Sequence, residues 1–97
     1  MKAFRFHWRA ARDVEEASAF YEARDTEVAA RFLQELNAVI ERARLRPLLF
    51  RVVRANVRRA LLRRFPYALL FVLKDELVVI IGVAHLSRMP TFWVNRL

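Results

Sequence analysis

Arginine and histidine are the side chains in this sequence with the clearest potential for chemistry. An arginine-rich stretch, Val57-Arg58-Arg59-Ala60-Leu61-Leu62-Arg63-Arg64-Phe65-Pro66-Tyr67, runs into two apolar segments. These end at His85-Leu86-Ser87-Arg88-Met89-Pro90, with Trp93 and Arg96 beyond. Guanidinium groups hold carboxylates and phosphates through paired N–H donors, so the stretch suits an acidic partner. Cleaving RNA needs cations around the scissile phosphate and an acid–base pair to move protons. Arg59, Arg63, His85 and Arg88 are the residues that could supply them.

Each of these residues also has a plain structural role open to it. A histidine at a strand exit often only satisfies a carbonyl or packs on an aromatic ring such as Trp93. Strand alternation puts Arg59 and Arg63 on the face opposite Arg58 and Arg64, so one pair could be an ordinary solvated face. Arg88, Trp93 and Arg96 are of the types that dominate binding interfaces, although Trp93 could equally close the core over the helices. His7 reads as a surface or edge residue. With two histidines, no cysteine and no carboxylate pair beside either histidine, no metal site is expected. A single glycine leaves no phosphate-cradling loop, and no cofactor is expected.

The charge is unevenly placed. The net charge is +8, but residues 1–46 carry nine basic and eight acidic residues, and residues 47–97 carry nine and two. The basicity therefore lies in the second half, where nucleic acid, an acidic protein segment or an anionic surface would fit. Ninety-seven residues, 57% of them hydrophobic, make one domain over residues 1–97 with a single core and some apolar surface for a partner. The absence of cysteine gives no sign of secretion. Phe65–Leu73 and Leu77–Ala84, the longest apolar runs, are too short to span a bilayer as helices. A cytoplasmic protein without membrane contact is expected.

The elements that must position these residues follow from periodicity. Phe4, Phe6 and Trp8 alternate with Arg5 and His7, which predicts a strand over Ala3–Trp8. From about Arg9 the spacing of Ala11, Val14, Ala17, Phe20 and Tyr21 is helical. Arg24-Asp25-Thr26 interrupts it, with Asp25 or Thr26 as the next cap. Val28, Ala29, Phe32, Leu33, Leu36, Val39, Ile40 and Ala43 make one stripe of a second helix that ends at Pro47. The stripe from Phe20 and Tyr21 through Phe32, Leu33, Leu36, Val39 and Ile40 is expected to form the core. Leu48–Asn56 lacks clean periodicity and reads mostly as loop. Val57–Arg64, Tyr67–Leu73 and Leu77–Ala84 read as strands, the last two joined by a tight turn at Lys74-Asp75-Glu76. Gly82, inside the last strand, suggests a bulge or a close backbone approach. The fold class is α+β: an N-terminal strand, an antiparallel helical hairpin, then a three-stranded antiparallel meander, with the helices on one face of the sheet.

The chain resembles the RelE/ParE superfamily of toxins from type II toxin–antitoxin systems, and within it the ParE-like branch. The likeness rests on Arg63-Arg64-Phe65-Pro66-Tyr67 entering one strand, Val83-Ala84-His85 leaving the next, and Arg88-x-Pro90-x-x-Trp93-x-x-Arg96 beyond it. Asp13, Ala30-Arg31-Phe32 and Pro47 add to it. The resemblance implies a toxin neutralised by a cognate antitoxin whose acidic, partly disordered segment lies across the helices and sheet. Arg58, Arg63, Arg64, Phe32 and Leu36 are the expected antitoxin contacts.

ParE-like members inhibit DNA gyrase, whereas RelE-like members cut mRNA in the ribosomal A site. The RelE-like pattern has an arginine directly after the tyrosine that opens the third strand, and here Ala68 follows Tyr67. It has a second basic residue where this chain has Leu61, and a C-terminal tyrosine where this chain has Phe92-Trp93. The resemblance therefore favours gyrase as target, met through His85, Arg88, Trp93 and Arg96. A ribosome-dependent mRNA endonuclease is the second reading, and a basic nucleic-acid-binding or non-toxic module the third.

Overall fold

The computed structural model describes residues 1–88 and 93–96. Five strands form one sheet: β1 (Ala3–Phe6), β2 (Arg51–Arg54), β3 (Val57–Leu61), β4 (Tyr67–Lys74) and β5 (Leu77–His85). Two helices, α1 (Trp8–Glu22) and α2 (Thr26–Leu45), stand between β1 and β2 in the chain. The strand order is β1-β5-β4-β3-β2, with β1 parallel to β5 and every other pair antiparallel. The α+β class read from the sequence is the fold observed.

Both helices start on side-chain caps. Arg9 N–H donates to His7 Nδ1 at 3.1 Å, and Glu27 N–H to Asp25 Oδ1 at 2.8 Å. Each cap satisfies a donor that has no partner within its helix. His7 is thus the first helix's cap, which is why β1 ends at Phe6 rather than Trp8. Ala10 and Ala17 bring α1 close to the sheet, while α2 buries Phe32, Leu36, Val39, Ile40 and Ala43. Phe20 and Leu33, expected in the core, are 49% and 38% exposed. Phe20 lies instead under the Arg24 guanidinium, 3.7 Å from its ring centroid.

Strand alternation gives the sheet two buried faces. Leu69, Phe71, Val78 and Ile80 pack under the helices. Leu70, Val72, Val79, Ile81 and Ala84 form a second cluster with Val57 and Trp93 on the other side. Trp93 therefore closes the face away from the helical hairpin.

A bulge interrupts the alternation. Leu70 pairs with Gly82 and Phe71 with Ile80, leaving Ile81 as the additional residue on β5. Ile81 and Gly82 then lie on the same face, where glycine avoids crowding by a second side chain. Beyond the bulge the parity is reversed, so Val83 joins the helix-side core and His85 pairs with Tyr67.

The segment read as loop contains β2. Arg51 pairs with Arg59 and Val52 with Arg58, and the register then shifts before Arg54 meets Val57. Four mostly exposed residues with a register shift carry no two-residue hydrophobic period, so the strand left no pattern in the sequence. At its other end β3 stops at Leu61, three residues short of the predicted strand.

Candidate functional site

The Arg63–Tyr67 segment is a structured turn that anchors one surface. Leu62 N–H donates to Tyr67 O at 3.0 Å, and Tyr67 N–H to Phe65 O at 2.7 Å. Phe65 and Tyr67 meet Tyr21 and Phe32 in an aromatic cluster with ring centroids 5.1–6.2 Å apart. The Glu35 carboxylate of α2 accepts the backbone N–H groups of both Arg63 and Arg64, the latter at 3.1 Å. Phe65 is thereby pulled inward, while the Arg63 and Arg64 side chains are exposed.

A cleft of about 520 Å³ lies beside this turn, lined by Val28, Arg31, Gln34, Glu35, Arg64 and Phe65. It joins two guanidinium-bearing residues to the apolar edge of the aromatic cluster. Phe32 and Leu36, expected as antitoxin contacts, are 0% and 2% exposed. They belong to the core under this cleft, because the helix face that carries them is the one turned to the sheet. Arg58 donates from Nη1 to Phe50 O at 2.8 Å and is partly buried.

A second cleft, of about 190 Å³, gathers Tyr67, His85 and Arg88 against Asp13, Glu16 and Phe20 of α1. His85 stands edge-on to Tyr67, with centroids 5.2 Å apart. Burial pushes the Tyr67 hydroxyl above the ordinary tyrosine range; Tyr21 adds to that, and Arg88 opposes it. The phenol stays protonated at neutral pH. Ser87 N–H donates to His85 Nδ1 at 3.1 Å, and the Ser87 hydroxyl lies 2.8 Å from the same nitrogen. With Nδ1 accepting, the neutral ring carries its proton on Nε2. His85 therefore lines the cleft with Nδ1 already engaged by Ser87.

The nuclease candidates are not brought together. Arg59 pairs with Leu70, on the face away from the helices, whereas His85 and Arg88 line the α1 side. Arg63 sits in the turn held by Glu35. Among the described residues, no cluster of three His, Cys, Asp or Glu side chains could hold a metal ion.

Of the residues expected to meet a target, His85 and Arg88 share the α1 cleft. Trp93 is 1% exposed within the second core cluster. Arg96 forms a paired contact with Asp13, Nη2 to Oδ1 at 3.1 Å and Nη1 to Oδ2, and Nη1 also donates to Ile81 O at 3.1 Å. In this conformation Trp93 offers almost no surface, and Arg96 ties the C-terminal segment to α1 and β5. Met89, Pro90 and Phe92 lie outside the described residues. Neither partner, Glu35 nor Asp13, is marked as one by composition or spacing. Asp13 stood out only through the family pattern, and Glu35 through nothing but its place on the α2 face.

Residues 4–90 match the model of the family described as the ParE toxin of the type II toxin–antitoxin system, parDE. The chain belongs to that family. A solved chain of the chromosomal ParDE TA system from P. aeruginosa has the same fold, with a TM-score of 0.69 at 18% identity over 88% of this chain and 96% of that one. None of the curated proteins matches the sequence. Family membership implies a cognate antitoxin as partner. Among the described residues, no helix is long and apolar enough to cross a membrane.

Proposed function

We propose that this chain is a cytoplasmic toxin that inhibits DNA gyrase by binding it, and that a cognate antitoxin neutralises it. The observation that carries this reading is the separation of Arg59 from His85 by the thickness of the sheet, in a chain of the ParE family. A cleavage site needs its cations and its proton carrier around one phosphate. Here they face opposite sides, and the one candidate base has Nδ1 occupied by Ser87. What remains on the α1 side is a contact surface: the His85 imidazole, the Arg88 guanidinium and a neutral tyrosine.

The antitoxin is assigned to the α2 cleft. Arg31 and Arg64 sit beside Phe65 there, and Glu35 is occupied by backbone N–H groups. An acidic, partly disordered segment could order itself on that surface through charge-assisted hydrogen bonds and apolar burial.

The deciding experiment is a supercoiling assay with purified gyrase, run beside a ribosomal A-site mRNA cleavage assay. Supercoiling should be inhibited, and Arg88→Ala should weaken the inhibition about tenfold, as loss of a charged interface hydrogen bond does. If gyrase is untouched while mRNA is cut, and His85→Ala abolishes the cutting, the ribosomal reading replaces this one.

A further inference from the structure

The helix-free face of the sheet carries a basic groove that neither reading above uses. Register builds it. Arg5 pairs with Val79 across β1 and β5, and Val79 with Val72 across β5 and β4, so the three lie in one row. With Asn56 on the far bank and Lys74 at one end, they line a groove of about 340 Å³. Among the described residues no carboxylate lines it; Arg96, whose charge Asp13 balances, is at the other end.

The next rows continue the same charge. Arg59 pairs with Leu70 and Arg51 with Arg59, which places both arginines on this face. Like charges directly opposite each other on a sheet are destabilising. Among the described residues, no salt bridge involves Arg5, Arg51, Arg59 or Lys74. A pair of facing arginines beside a cationic groove is a cost to folding that an anionic ligand would remove.

We infer that this face is a second binding surface and that its ligand is an acidic peptide segment of a partner protein. The cationic lining, without described aromatic rings, favours peptide over nucleic acid. Single-stranded nucleic acid needs aromatic platforms for its bases, and among the described residues no Phe, Tyr or Trp lines the groove. A glutamate side chain fits better: its carboxylate reaches the Arg5 fork or Lys74 above Val72 and Val79, which are themselves only 4% and 6% exposed. A second carboxylate further along the segment reaches between Arg51 and Arg59. A second copy of this chain, also at +8, would bring like charge to like charge.

The inference does not rest on gyrase being the target, and its test is separate. The probe is a short labelled peptide of alternating Glu and Leu, followed by fluorescence anisotropy, with labelled oligouridine as the comparison. Arg5→Glu and Arg59→Glu should each weaken peptide binding about tenfold or more, the equivalent of a lost charge-assisted contact. Arg42→Glu, with the same change in net charge on an exposed turn of α2, should change it less than about threefold, the residual effect of long-range charge. On adding peptide, amide resonances of Asn56, Val72 and Val79 should shift, and those of Val28 and Gln34 should not. That map stands even if a charge-reversal variant folds poorly. Three results would overturn the inference: equal weakening by Arg42→Glu, resonance shifts confined to the α2 cleft, or tighter binding of oligouridine lost through the same Arg5 and Arg59 variants. Supercoiling inhibition, measured on the same variants, reports on the target and not on this groove.

Discussion

Arg96 and Asp13 complete the edge of a strand that another strand leaves open. β1 pairs with β5 only as far as Ile80, and His7 N–H donates to Ile80 O before the chain turns into α1. The next groups on that edge are Ile81 O and Val83 N–H. Arg96 donates to the first, and Asp13 Oδ2 accepts from the second at 3.0 Å. The ion pair thus replaces two rungs of the ladder, and each of its side chains is only 9% exposed.

Breaking that pair should be expensive, because the residue left behind stays buried with an uncompensated charge. Asp13→Ala and Arg96→Ala should each cost about 3–5 kcal/mol in urea denaturation. The double variant should cost far less than the sum, since neither charge is then stranded. Additive losses below about 1 kcal/mol each would mean that the pair is solvated in solution.

Glu35 ties the arginine-rich turn to α2 in the same manner, by accepting two backbone N–H groups. Glu35→Ala should destabilise the protein by about 1–3 kcal/mol and speed amide hydrogen exchange at Arg63 and Arg64. Glu35→Gln keeps an acceptor oxygen and should retain most of the protection. If exchange at these amides is unchanged in Glu35→Ala, the carboxylate does not hold the turn.

The contrast between these two carboxylates and the apolar stripes explains what was legible in the sequence. Phe32, Leu36, Val39 and Ile40 repeat with the helix, and Leu69, Phe71, Val78 and Ile80 share the buried face beneath them, so class and helix positions follow from period. Even so, periodicity put Phe32 and Leu36 in the core while the family likeness put them at an interface, and burial decides for the core. The bulge at Ile81 was hinted at by Gly82, but the face it gives His85 depends on which residue is extra, which composition does not encode. Trp93 is legible as a target contact or, alternatively, as a cover over the helices; it is buried on the other side of the sheet, a face that the C-terminal segment has no period to select. Asp13 and Arg96, 83 positions apart, meet only through the fold.

Ala55 holds a φ of 52° in the turn from β2 to β3, a left-handed conformation that its Cβ disfavours by about 1–2 kcal/mol. Ala55→Gly should relieve that strain, less the roughly 0.5–1 kcal/mol by which glycine frees the unfolded chain. A net gain approaching about 1 kcal/mol is expected from the urea midpoint at unchanged slope. Ala38→Gly, on an exposed turn of α2, should instead cost about 1 kcal/mol. Asp75, at φ 56° in the β4–β5 turn, should gain less from the same change, because aspartate tolerates this region better than alanine.

Tyr21 and Tyr67 give the protein a defined limit at high pH. Burial raises both phenols above the ordinary value of 10.0, and at Tyr67 the neighbouring Tyr21 adds to the effect while Arg88 opposes it. The neutral phenol is the form the fold favours. Below pH 10 both tyrosines are protonated in the folded and unfolded states alike, and their contribution to stability is complete. Above that value the unfolded chain ionises first, so it binds fewer protons than the folded one, and stability falls as pH rises. An ultraviolet titration of phenolate absorbance should show both tyrosines titrating late, with denaturant midpoints declining above about pH 10. Arg88→Ala removes the cation that favours the Tyr67 phenolate, so that titration should move later still. A phenolate signal that develops at the ordinary tyrosine value, unmoved by Arg88→Ala, would show that Tyr67 is solvated and that Arg88 does not share its cleft.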